Sequence, residues 1–218
     1  MLDFDYNENE NPVVINKYYQ IYMNIFSDSE NNKQIIHEVE RFIAYNMVGE
    51  TKYSTNFLFN IGKTAANGKS MISIMYQRVL PIYFAEISKD TFSFQNKANQ
   101  NDLYNNQTSR FIYCDEIDIF HVDIGQLKLI CKQIMTITPL YRQTKSLENH
   151  SHTYITCNNE RKLKADYGLL QRELLIKTKN KLYPLEKYNK LSENLKQNAK
   201  IANPYLVNDL DNVEDKIA

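Results

Sequence analysis

A chain of 218 residues with 26 Lys and Arg against 26 Asp and Glu carries no formal net charge. The length allows one sizeable core and argues against a second large domain. The charge balance excludes a global positive field drawing the chain to nucleic acid or to an anionic membrane, so any DNA contact must be local. Cys114, Cys131 and Cys157 form no CxxC pair and lie beside apolar residues such as Ile112, Ile130 and Ile155, which fits buried thiols in a reducing compartment. No apolar run approaches the roughly 20 residues of a membrane span, and the acidic, Asn-rich start is unlike a signal peptide. A soluble, intracellular protein without membrane contact is expected. His37, His121, His150 and His152 have no cysteine partners at ligand spacing, so no metal cluster is expected.

Residues 1–13 are polar and acidic and read as a flexible tail. Apolar residues then recur at helical intervals over 15–26 and 34–47, predicting a helical N-terminal segment over 14–50. Residues 51–180 read as the core. It starts with a strand over 56–60, a loop from Gly62 and a helix over 69–80. The polar stretch 88–109 predicts a long connection with a short helix around 102–106. Arg110 to Cys114 predicts a buried strand, and Asp123 to Thr136 a helix. Tyr141 to Lys145 and His152 to Cys157 predict a β-hairpin with His150 and His152 in or beside its turn, and Arg172 to Ile176 another strand. A Lys- and Asn-rich helix over 188–202 and a polar end complete a C-terminal segment, 181–218. The fold class expected is α/β.

Three strand ends carry candidate chemistry. Gly62, Lys63, Thr64, Ala65, Ala66, Asn67, Gly68, Lys69 and Ser70 end in the Gly-Lys-Ser of a Walker A loop. Placed between strand and helix, such a loop turns backbone N–H groups and a positive helix end toward phosphates. Lys69 would bridge the β- and γ-phosphates, Ser70 would put its hydroxyl on Mg²⁺, and Gly68 would let the backbone approach. The usual first glycine is Lys63 here, with Gly62 one position early. Phe111-Ile112-Tyr113-Cys114 delivers Asp115 and Glu116 as a Walker B pair, Asp115 for Mg²⁺ and Glu116 to polarise the attacking water. Tyr154 to Cys157 ends in Asn158, an amide able to orient that water. Arg172 could reach a nucleotide bound by an adjacent subunit.

In that order, Asn67-Gly68-Lys69-Ser70, Asp115-Glu116, the segment 128–142, Asn158 and Arg172 resemble the superfamily 3 helicases, particularly poxvirus-type primase-helicases of large DNA viruses and phages. The resemblance spans roughly residues 18–200. It implies a P-loop NTPase with an AAA+-like three-layer core, a β-hairpin insertion and small helical appendages. It further implies ATP and Mg²⁺ as cofactors, Asn158 as sensor 1, Arg172 as an arginine finger, and a hexameric homo-oligomer. Single-stranded or forked DNA would pass through the ring and meet the hairpin at Arg142 and Lys145. A viral replication site or host cytoplasm is the expected location, with a possible separate primase as partner, since 218 residues leave no room for that domain. Where the family has a Gly-Gly-Asp turn before its basic residue, this chain has Thr136-Ile137-Thr138-Pro139.

The leading expectation is an ATP-dependent DNA helicase or translocase. The alternatives are an AAA+ loader or switch that hydrolyses ATP without unwinding, and a non-catalytic remnant acting as a scaffold. A DExD-box helicase, suggested by Asp115-Glu116-Ile117-Asp118, would need a second domain that this length does not hold. No nucleophile motif supports Ser-His-Asp catalysis.

Overall fold

The structure, a computed structural model, describes residues 21–26, 32–49, 51, 56–63, 65–95, 100–159 and 167–202. The predicted tail 1–13 and the start of the first helix lie outside them. Helical residues 21–26 are followed by α1 (Asn32–Val48), β1 (Phe57–Ile61), α2 (Lys69–Val79) and β2 (Phe84–Ile87). A 3₁₀ turn (Lys89–Phe92), α3 (Gln100–Asn105), β3 (Phe111–Cys114) and α4 (Ile124–Ile130) come next. A hairpin of β4 (Ile134–Ile137) and β5 (Lys145–Glu148) leads into β6 (His152–Cys157), α5 (Tyr167–Leu170) and β7 (Glu173–Lys177). The described chain closes with β8 (Lys181–Tyr183), α6 (Leu185–Asn189), α7 (Glu193–Lys196) and β9 (Ala199–Ile201).

Five strands form one sheet in the order β2-β3-β6-β1-β7, and every neighbouring pair is parallel. Buried on both faces, these strands need continuous apolar sequence rather than alternation, and all residues of β1, β3 and β6 are buried. Side chains alternate between two cores. Phe57, Phe59, Ile112 and Ile155 pack with Leu127 and Ile130 of α4, Leu103 of α3, and Met135 and Ile137 of the hairpin. Leu58, Phe111, Tyr113 and Tyr154 pack with residues 21–26, with Val39 and Phe42 of α1, and with Ile72 and Met75 of α2. The result is α/β architecture with a parallel central sheet covered on both faces.

Local signals set the element ends. Gly49, at φ 71°, accepts the left-handed position after α1, and its N–H bonds to Tyr45 O at 3.0 Å. Asp123 caps α4 by accepting from Gly125 N at 2.7 Å.

Several predicted elements are corrected. Residues 84–87 form a strand between the helix read over 69–80 and the connection read over 88–109, where no element was expected. The helix over 123–136 stops at Ile130, and Ile134 to Ile137 become β4 with alternating exposure. The hairpin partner of β4 is Lys145–Glu148, so Tyr141 lies at the tip. His152 opens β6 inside the central sheet, where Asn46 Oδ1 accepts from its N–H at 3.1 Å, instead of lying in the hairpin turn. In place of one helix over 188–202, α6 starts after Pro184 and ends at Asn189, α7 starts after Ser192, and Ala199–Ile201 pairs with β8.

Candidate active site

Because the sheet is parallel, the C-terminal ends of β1, β3 and β6 share one edge, where ligands of open α/β sheets collect. The loop after β1 folds tightly on itself. Gly62 donates to Cys157 O at 3.0 Å, and a Cβ on Gly62 would lie 2.1 Å from Asn67 Nδ2 and 2.5 Å from Thr178 Oγ1. This explains the displaced glycine: the close approach falls at Gly62, while Lys63 is exposed. Ala66 at φ 60° and Gly68 at φ 84° are both left-handed, a backbone pattern that gathers N–H groups into an anion-binding concavity ahead of α2. Leu182 N donates to Ala66 O at 2.7 Å, so β8 braces the loop. Thr64 lies outside the described residues, and Ala65 is exposed beside it.

Lys69, at the start of α2, is buried. Its ammonium donates to Gly62 O at 2.8 Å, Cys157 O at 3.3 Å and Asn158 Oδ1 at 2.5 Å. Burial holds it below the ordinary lysine value, opposed by the nearby charges of Glu116, Cys157 and Asp115. Asn158 Nδ2 donates in turn to Glu116 Oε1 at 2.5 Å. A single amide therefore joins the loop lysine to the second acid of the β3 end. Glu116 is held at φ 49°, a conformation costing a non-glycine residue about 1–2 kcal/mol, and its N–H bonds to Thr156 Oγ1 at 2.9 Å.

Asp115 Oδ1 accepts from Thr156 Oγ1 at 2.5 Å and from Tyr113 OH at 2.7 Å. Burial and the Asp115 bond push the Tyr113 phenol well above the ordinary value, and Ser70 opposes the rise. Ser70, the second residue of α2, thus faces the same phenol as Asp115. Behind them Tyr154 OH accepts from Asn60 Nδ2 and donates to Lys69 O, both at 3.0 Å, tying β1, β6 and the first turn of α2 together. Sequence reasoning passed over Tyr113, Thr156, Tyr154 and Asn60. Their signal was polar side chains inside strands otherwise apolar throughout.

The donor set suits an anion and a hard cation. Asn67 Nδ2 is buried without a hydrogen-bond partner among the described residues. Among those residues no group of three or more His, Cys, Asp or Glu could hold a metal ion alone. A hydroxyl and a single carboxylate match Mg²⁺, which takes few protein ligands and completes its shell with phosphate and water.

Arg172 is not brought to this site. It precedes β7 at the opposite edge of the sheet, where Phe57 N donates to its carbonyl at 3.0 Å. The five residues of β1 then separate it from the loop by roughly 15 Å of strand. Arg142 and Lys145 also stand elsewhere, on the hairpin, near one ring: Arg142 Cζ lies 4.7 Å and Lys145 Nζ 5.6 Å from the Tyr104 centroid.

The family described as "Family of unknown function (DUF5906)" matches residues 60–172, from the end of β1 to Arg172, and the chain belongs to it. None of the curated proteins matches. Among solved structures, the A form apo structure of NrS-1 C terminal region-CTR(305-718) superposes with a TM-score of 0.57 at 14% identity, covering 96% of this chain and 45% of that one. A second A form apo structure of the same region gives 0.55 at 15% identity, with 95% and 45% covered. The apo structure of NrS-1 C terminal region (305-718) gives 0.57 at 13% identity, with 92% and 44% covered. The chain spans less than half the length of these structures, and the likeness is one of fold. No helix among the described residues is long and apolar enough to cross a membrane.

Proposed function

We infer that this chain is a P-loop ATPase of the AAA+ type, acting as an ATP-dependent translocase or helicase on single-stranded or forked DNA in a viral-type replication system. The observation that supports it most is the tie of Lys69 through Asn158 to Glu116, with Asp115 held beside it by Tyr113 and Thr156. Loop N–H groups and Lys69 receive the phosphates. Ser70 and Asp115 would hold Mg²⁺, which would supply positive charge where the phosphates gain negative charge. Glu116 and Asn158 position the attacking water. Lys69 would exchange its present acceptors for phosphate oxygens, releasing Asn158 and Glu116 for that task.

In this reading Arg172 serves a neighbour. Its place at the opposite edge makes it unable to reach its own loop, and a homo-oligomeric ring, expected to be a hexamer, would bring it to the next copy's nucleotide. Arg142 and Lys145 would contact the DNA backbone, with a separate primase as a possible companion.

The test is ATP hydrolysis by the purified protein with and without single-stranded DNA, beside Lys69→Ala and Glu116→Gln. DNA-stimulated turnover lost in both variants is expected. The closed Lys69-Asn158-Glu116 arrangement also favours a second reading, a nucleotide-operated loader or switch, for which turnover would be indifferent to DNA. Folded protein that neither binds nor hydrolyses ATP would reject both and leave a scaffold.

A further inference from the structure

The hairpin tip is built around a tyrosine in an unfavourable place. Arg142 N donates to Pro139 O at 3.1 Å, closing the turn Pro139-Leu140-Tyr141-Arg142. Tyr141 is its third residue, with φ 58°, where such turns normally take glycine or asparagine. It gains no burial in return: Tyr141 is 97% exposed, more than any other large hydrophobic residue described, and Leu140 beside it is 45% exposed.

The tip is nonetheless fixed. Gln100 Oε1 accepts from Thr138 N, Asn101 Oδ1 accepts from Leu140 N at 2.7 Å, and the hydroxyls of Thr138 and Thr144 bond across the hairpin at 2.8 Å. The same helix, α3, contributes Tyr104, which packs against the core, with Arg142 Cζ 4.7 Å and Lys145 Nζ 5.6 Å from its ring centroid. One helix therefore braces the turn that carries an exposed aromatic ring and underlies the two cations beside it. That combination, a π-face beside anchored positive charge, is what single-stranded nucleic acid requires: stacking for a base and charge for its backbone.

We propose that Tyr141 is the base-stacking residue of a single-stranded nucleic-acid site on the hairpin tip, with Arg142 and Lys145, ordered by Tyr104, on the adjoining phosphates. This rests on the nucleic-acid part of the proposed function and adds to it the mode of contact. Stacking is indifferent to base identity, so the site would show little sequence preference.

The experiment measures binding of the full chain to a fluorescein-labelled oligo-dT by anisotropy over a salt series. Tyr141→Ala should weaken binding about tenfold and leave the salt slope unchanged, because no phosphate contact is lost. Tyr141→Phe should bind within about twofold of the parent. Arg142→Ala should instead lower the slope by about 0.7, the value of one phosphate contact on a single strand. Tyr141→Gly relieves the turn and should melt no lower than the parent while binding as weakly as Tyr141→Ala, which separates stacking from misfolding. An abasic oligonucleotide should bind as weakly to the parent as oligo-dT binds to Tyr141→Ala.

Equal binding by parent, Ala and Gly variants, equal binding of the abasic strand, or no binding of the oligonucleotide would overturn the proposal. A tip that captures a protein instead falls in that last outcome. ATP turnover measured on the same preparations separates the two readings. Tyr141-dependent binding without turnover would sink the ATPase and keep the site, and turnover with Tyr141-independent binding would do the reverse.

Discussion

At the C-terminal edge of the sheet, Lys69, Asp115, Glu116 and Asn158 are each held by an atom from another element of this same chain. Arg172 and Tyr141 lie elsewhere, at the opposite edge and at the hairpin tip, the first tied by its backbone to Phe57 and Leu169 and the second held at φ 58°. The first group forms a site closed on itself, an arrangement of preorganised charge. On the proposed function, a neighbouring copy or a strand of nucleic acid completes the second group. One set of side chains therefore tests the fold and the other tests the assembly.

The largest effect should come from the side chain at the opposite edge from the loop. Arg172→Ala is expected to lower turnover by about 10³- to 10⁵-fold, the range for an arginine finger, with nucleotide affinity little changed. Mixing it with Lys69→Ala should restore part of the activity, because some interfaces then combine an intact loop with an intact arginine. Two inactive proteins that stay inactive when mixed, under conditions where they co-assemble, would dissolve the contrast between the edges.

Within the closed site, the loop glycine is the sharpest probe. Gly62→Ala puts a methyl group where Asn67 and Thr178 already stand. It should cost about 1–3 kcal/mol of stability as overpacking does, and weaken nucleotide binding measured by titration. Lys63→Gly, at an exposed position, should leave binding near the parent value. The opposite ranking would show that the loop follows the usual register.

A smaller effect is expected one layer below. Thr156 is fully buried, and its hydroxyl donates to Asp115 while accepting from Glu116 N. Thr156→Val keeps the shape and removes both bonds, at about 1–3 kcal/mol, a fall of several degrees in melting temperature for a chain of this size. Turnover should fall with it, since Asp115 and the Glu116 backbone lose their common anchor. Unchanged activity in a destabilised protein would make Thr156 a structural residue alone.

How much of this was legible follows from what each feature depends on. The loop, the acid pair and Asn158 stand at ends of short apolar runs, so sequence order alone placed them on strand ends. The tie of Lys69 to Asn158 spans 89 residues, and Thr156 to Asp115 spans 41; no local pattern encodes such contacts. The hairpin was misplaced for a different reason. Ile130, Ile134 and Met135 satisfy a helical period, yet Ile134 is 58% exposed and Met135 buried, the alternation of a strand. β2 went unseen because Phe84 to Ile87 is four residues long and lies directly against a polar run. Arg172 was placed by sequence order, and only the parallel register of β1 with β7 puts it on the far edge.

The last contrast concerns the dry interior behind both edges. Burial pushes the Cys131 thiol up to about 12 and raises Cys114 and Cys157 as well, with Lys69 partly opposing the rise at Cys157 and Arg172 at Cys131. The native protein therefore keeps these protons at a pH where the unfolded chain, with thiols near 9.0, releases them. The unfolded state then binds fewer protons, so stability is complete below about pH 9 and falls as pH rises toward about 12. For Cys131 alone the loss between pH 8 and pH 10 is about 1.4 kcal/mol. Urea melts of Cys131→Ala against the parent at the two pH values isolate that share from the tyrosines and lysines that titrate nearby. The cavity left by the substitution lowers both melts equally, so only the pH-dependent difference counts. If the variant loses as much stability as the parent on going to pH 10, the Cys131 thiol is wet, and the core face behind α4 is more open than its burial indicates.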